Sequence, residues 1–165
     1  MFKAILALSL VFLLFSVALG QQTDGKVVFK ANSEFPIQLE TAFSTDKIGV
    51  GDEVDFTLAE DVTGENGEKI LKGATVFGRI VELEKISAKN ETTKVTVLFD
   101  FIKSTDKFYS IVGMITTITP NADNIKMTPC KKFVGGTILS LKGKEIQFDK
   151  GKIFRIKLTE DVKAE

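Results

Sequence analysis

From residue 21 onward the apolar positions recur every second residue, the rhythm of strands with one buried face. Phe35, Ile37 and Leu39 share a side in FPIQLETAF (35–43), and Pro36 marks an edge or a strand start. Val54, Phe56 and Leu58 share a side in VDFTL (54–58). A long strand is expected over 74–86, where Val76, Gly78, Ile80 and Leu83 break parity, so a bulge is expected near Gly78. The next strand, 92–102, places Val95, Val97, Phe99 and Phe101 on one face. FYSIVGMITTI (108–118) completes a three-stranded meander. TILSL (137–141), EIQF (145–148) and KIFRIKL (152–158) read as short strands, and GKVVFKA (25–31) as a short first one. Asn66-Gly67 is the strongest hairpin signal, because both residues tolerate positive φ. Lys72-Gly73, Lys142-Gly143 and Lys150-Gly151 mark further turns. The stretch 119–136 has two prolines and no period, and reads as an irregular loop.

The expected fold is all-β: a small antiparallel β-barrel or barrel-like sandwich. The opening segment differs. Lys3 precedes an unbroken run of apolar and small residues from Ala4 to Leu19, and Ala18 and Gly20 supply the small-x-small end of a secretory signal. The run is shorter than the roughly 20 residues a bilayer span needs. The expected organisation is a signal-peptide helix over 1–20 cut near Gly20, an N-terminal arm over 21–34, a barrel over 35–162 and a frayed tail over 163–165. The expected location is the periplasm or the exterior of a bacterium, with no membrane insertion after cleavage.

Composition narrows the function classes. Lys plus Arg and Asp plus Glu both number 22, which argues against nucleic acid or a polybasic membrane contact. There is no histidine, so the commonest general base and metal ligand is missing. Cys130 is the only cysteine; no internal disulfide can form, and burial is the simplest reading of it. Neither a catalytic residue nor a metal or cofactor site is expected. Asp61, Glu65 and Glu68 flank a glycine-bearing tip, but their spacing departs from a calcium loop. Asp100 is expected to point outward, and nothing in the sequence places it with Asp106 as an acid–base pair. Phe56, Phe77, Phe99, Phe101, Phe108, Phe148 and Phe154 fall on strand positions and are expected mostly in the core.

The sequence also echoes itself. Lys72-Gly73 before ATVFGRI resembles Lys150-Gly151 before KIFRI, and Glu60-Asp61-Val62 returns as Glu160-Asp161-Val162. The triplet precedes the first Lys-Gly unit but follows the second, so the echo is read as convergence on one turn-and-strand grammar rather than as a duplication. Arg79 and Arg155, the only arginines, both lie in it. Together with Asp61 and Asp161 they are the candidates for cross-strand ion pairs or partner contacts.

Gly51-Asp52-x-Val54, Glu60-Asp61-Val62, Gly67, Ile70 to Val76, Gly78-Arg79 and Val97-x-Phe99-Asp100 carry a resemblance. Over residues 37–118 the chain resembles the C-terminal β-barrel of the type IV secretion outer-core scaffold of conjugation channels. Leu71 stands where that family has proline, and Asp106-Lys107 where it has Asp-Gly. The resemblance implies a barrel and an envelope setting; it does not carry channel activity, because the pore-forming helical hairpin is not seen. The expected function is a non-catalytic envelope module contacting another envelope protein, or itself, through an edge strand. A small apolar-ligand carrier and a carboxylate-dependent hydrolase are the alternatives.

Overall fold

In the computed structural model, which describes residues 26–163 except 121 and 123, the alternation sorts inside from outside as expected. Val54, Phe56 and Leu58 are buried while Glu53 and Asp55 between them are exposed. Among the described residues all regular structure is β. The strands are β1 (Val27–Phe29), β2 (Glu34–Leu39), β3 (Phe43–Ser44), β4 (Glu53–Leu58) and β5 (Val62–Thr63). They continue with β6 (Lys69–Ile70), β7 (Thr75–Glu84), β8 (Thr92–Ser104), β9 (Lys107–Ser110) and β10 (Gly113–Thr119). β11 (Lys126–Pro129), β12 (Thr137–Lys142), β13 (Gln147–Phe148), β14 (Ile153–Leu158) and β15 (Val162–Lys163) complete the chain. The signal segment expected over 1–20 lies outside the described residues.

The main sheet runs β10-β14-β2-β4-β7-β8-β12-β11, with β9 also on β8, and all its pairs are antiparallel. Only Ile111 and Val112 separate β9, which pairs with β8, from β10, which pairs with β14. That continuity bends the sheet into a nearly closed barrel. The interior is filled by Phe56, Phe99, Phe148 and Phe154, with Phe56–Phe154 and Phe148–Phe154 edge to face at 5.5 and 5.1 Å. Cys130 is buried, and its N–H donates to the Gly136 carbonyl at 2.8 Å.

Several expectations change. Of the arm expected over 21–34, residues 26–34 are described, and there Val28 and Phe29 are core residues and β1 pairs with β15. Val162 is likewise buried, and Lys163 is in a strand where a frayed tail was expected. Ladder bonds and apolar burial fix the first and last described strands, which composition alone leaves loose. The irregular loop 119–136 contains β11, whose run is too short and mixed to show a period. The expected bulge is present between Phe77 and Gly78, and a second register shift follows between Ile80 and Glu82.

The sequence echo has a structural counterpart that differs from its sequence alignment. Gly73 (φ +87) donates its N–H to the Leu58 carbonyl at 2.9 Å, and the Ala74 carbonyl accepts from the Leu58 N–H at 2.9 Å. Asn32 (φ +73) and Ser33 do the same with Leu158, at 2.8 and 2.9 Å. In the first case Asp61 Oδ1 accepts from the Lys72 N–H at 2.8 Å; in the second Asp161 Oδ1 accepts from the Ala31 N–H at 2.8 Å. Val62 then pairs with Ile70 and Val162 with Phe29. At the far ends of the same strand pairs, Gly51 binds Ile80 and Gly151 binds Leu39, each at 2.8 Å. The numbering steps between counterparts are constant. β4-β5-β6-β7 is therefore one unit and β14-β15-β1-β2 a second, assembled from the first and last described strands. That resolves the order of the triplets: Asp161 serves the corner at Asn32, not the one at Gly151. It also separates the arginines, because Arg79 corresponds to Gln38 and Arg155 to Asp55.

Candidate functional site

The four candidate residues are not brought together. Arg79 projects from β7, and its Nε lies 3.0 Å from both carboxylate oxygens of Asp100 on β8, not near either Glu-Asp-Val triplet. Asp61 binds the Lys72 N–H and the Lys69 ammonium, the latter at 2.6 Å, and Lys69 is the main reason its carboxyl lies below the usual range. Asp161 binds the Ala31 N–H. Arg155 is exposed on β14 and forms no ion pair among the described residues. Asp61 and Asp161 thus lock corners, and Arg79 makes a cross-strand ion pair.

The carboxylates set apart for chemistry are also dispersed. Asp100 faces outward, as expected, onto Arg79. Asp106 is exposed in the β8–β9 turn. Among the described residues no group of three or more His, Cys, Asp and Glu is placed to hold a metal ion. Glu68 has a different environment, which the sequence did not signal. Its Oε1 accepts from the Tyr109 hydroxyl at 2.6 Å and pairs with Lys107, while its backbone N–H donates to Asn66 Oδ1 at 2.9 Å. Lys107 and Tyr109 hold the Glu68 carboxyl below its ordinary range. Tyr109 is only 2 % exposed. Burial first, and Glu68 second, push its phenol up to about 12. The group ties the β5–β6 tip to β9.

The largest departure from expectation is on the outer wall. β8 carries one extra residue opposite the Phe77/Gly78 step: Phe101 is paired with Phe77 and Phe99 with Gly78, leaving Asp100 between them. Phe99 and Ile102 are buried, and both residues between them face out. The bulge reverses the parity that assigned Phe101 to the core. Phe101 therefore stacks outside on Phe77, with ring centroids 4.5 Å apart. Phe108 of β9 meets it edge-on at 5.4 Å and is 50 % exposed. Lys103 stands over the Phe108 ring at 5.7 Å. Three of the phenylalanines expected mostly in the core thus form an aromatic row across three adjacent strands on the outside.

The row continues toward an open cleft of about 380 Å³ bordered by Leu71, Thr75 and Lys103, where Leu71 is 57 % exposed. The barrel interior, by contrast, leaves a void of only about 10 Å³. Edge pairing is also restricted. On β11 the N–H of Cys130 points inward to Gly136, so by alternation Met127 and Pro129 face the free edge. Pro129 has no N–H to offer, and Lys126 is exposed beside it.

No family model matches this chain, and no curated protein matches it.

Proposed function

We propose that the protein is an exported, non-catalytic contact module of the bacterial envelope, working through the outer wall of its barrel. The observation that carries this reading is the aromatic row of Phe77, Phe101 and Phe108 on the outer wall, where Phe77 and Phe101 are half-buried against each other and Phe108 is exposed. Exposed apolar surface on an outer wall, where it is contiguous, is a candidate interaction site. The apolar opening run with its small-x-small end supports export. The resemblance of residues 37–118 to the outer-core barrel of conjugation channels supports an envelope setting. The contact differs in mode from edge-strand addition, since Pro129 blunts the free edge of β11. The carrier reading loses support from the void of about 10 Å³, far below the roughly 300 Å³ of a small-molecule pocket.

The test is expression of the full chain in a bacterial host, followed by fractionation and intact-mass measurement. The expected product is an envelope-fraction protein shortened near Gly20. Crosslinking in that fraction should yield defined adducts with the wild-type protein and lose them with Phe101→Ser. An uncleaved cytosolic product, or adducts indifferent to Phe101, overturns the reading.

A further inference from the structure

We propose that the aromatic row docks on a second copy of this chain, in a two-fold face-to-face dimer. The inference rests on the contact-module reading and names its partner. On the β4 flank of the row, Glu53 and Asp55 are exposed and form no ion pair among the described residues. On β8, Lys103 is exposed, and its ammonium stands over the Phe108 ring of β9. Asp55 is in register with Phe77, and Phe77 with Phe101; Lys103 is in register with Phe108. Asp55 on β4, Phe77 on β7, Phe101 with Lys103 on β8 and Phe108 on β9 therefore follow one another, with the Lys103 ammonium standing over the β9 ring.

Such a face is complementary to itself. A two-fold axis lying in the contact plane sets Phe77 of one copy against Phe101 of the other. The same rotation sets Asp55 over the partner's Ser110, two residues along β9 from the Phe108 ring under the Lys103 ammonium, and does so twice, as isologous contacts do. Arg79 and Asp100 already neutralise each other beside the rings, so no unpaired charge of theirs is trapped. Cleavage near Gly20 removes Lys3 and leaves the 22 acidic residues outnumbering the basic ones by one, so there is little long-range repulsion between copies. A basic or acidic foreign partner would be matched by one flank and opposed by the other.

The experiment is sedimentation velocity on the protein purified from cells expressing the full chain, from about 1 to 100 µM, a range that resolves micromolar dissociation constants. A reversible dimer is expected. Asp55→Lys and Lys103→Asp should each weaken it about tenfold or more, because like charges then face each other twice. The double variant should recover most of the loss. Phe108→Ser, at a half-exposed ring, should weaken it without lowering the melting temperature by more than a few degrees. A monomer throughout the range overturns the proposal, as does a dimer indifferent to these changes or a double variant no better than the singles. A monomer whose envelope adducts still depend on Phe101 overturns the dimer alone; loss of that dependence as well sinks the contact-module reading with it.

Discussion

Replacing Glu68 by glutamine isolates one buried charge-assisted contact and has a spectroscopic readout confined to a single residue. The chain has one tyrosine and no tryptophan, so the near-ultraviolet signal of phenolate formation reports Tyr109 alone. In the folded protein that phenol sits at about 12, against an ordinary value near 10. Two pH units correspond to roughly 2.7 kcal/mol of preference for the neutral phenol. Burial is the larger cause and the Glu68 carboxylate the second. Glu68→Gln keeps the shape and an acceptor oxygen but removes the charge. The midpoint should therefore fall, but should not return to the ordinary value, because burial remains. The exchange of a charged for a neutral acceptor costs about 1 kcal/mol, and the lost partner of Lys107 adds at most about 1 more. For a domain of this size that lowers the melting temperature by roughly 3–8 °C.

The two pH wings have opposite signs. The Glu68 carboxyl is held low, so its contribution is present above its ordinary range and is lost as pH falls through the folded value. The Tyr109 phenol is held high, so its contribution is intact below about 10 and drains away as pH rises toward about 12. Denaturant unfolding against pH should show both wings in the wild type. In Glu68→Gln the acid wing should flatten, and the alkaline one should begin to fall at lower pH. An unmoved phenolate midpoint refutes the reasoning, because the 2.6 Å hydroxyl–carboxylate contact would then carry no energy.

Asp61→Ala and Asp161→Ala each strip a corner N–H of its acceptor and should lower the urea midpoint by similar amounts; a large inequality would argue against the equivalence of the two units. Gly64→Ala should destabilise by more than about 2 kcal/mol, because its Cβ would lie 2.4 Å from the Val28 carbonyl oxygen. Gly73→Ala has open space and only its φ of +87° against it, and should cost about 1 kcal/mol; thermal melts that rank the two the other way would contradict the packing. A chain with Lys163 joined to Lys26 by a short Gly-Ser linker and opened between Asn66 and Gly67 should fold to the same circular-dichroism spectrum, since β1-β15 and β5-β6 are counterparts. A disordered spectrum would count against it.

Much of the architecture was legible because alternation is enforced by burial. Phe35, Ile37 and Leu39 are core residues, and so are Val54, Phe56 and Leu58. Gly78 marked a real bulge, since a Cβ there would meet the Leu98 carbonyl at 3.1 Å. The corners were legible as glycines with positive φ, but not their relation to one another. Asn32 fills the same role as Gly73 with no shared sequence, because the corner demands only a residue tolerant of that φ. Asp161 and Ala31 are held together across almost the whole described chain, and no local pattern can reveal such a pair.

The same limit explains why the candidate surface was hidden while the core was not. Parity propagates along a strand only until a residue is inserted. In β8 the rhythm from Val95 to Phe99 runs straight on to Phe101, and hydrophobicity gives no hint that Asp100 interrupts it. The hint lay in the partner strand: a bulge at Gly78 must be answered opposite, and Phe99 and Phe101 are the residues opposite. Carrying the bulge across the ladder would have turned Phe101 outward beside Phe77. Two strands each read alone assign both rings by their own rhythm, but the pair read together assigns them to the outside. A surface built by a bulge is thus a property of strand pairing, and its aromatic residues look like core wherever the pairing is unknown.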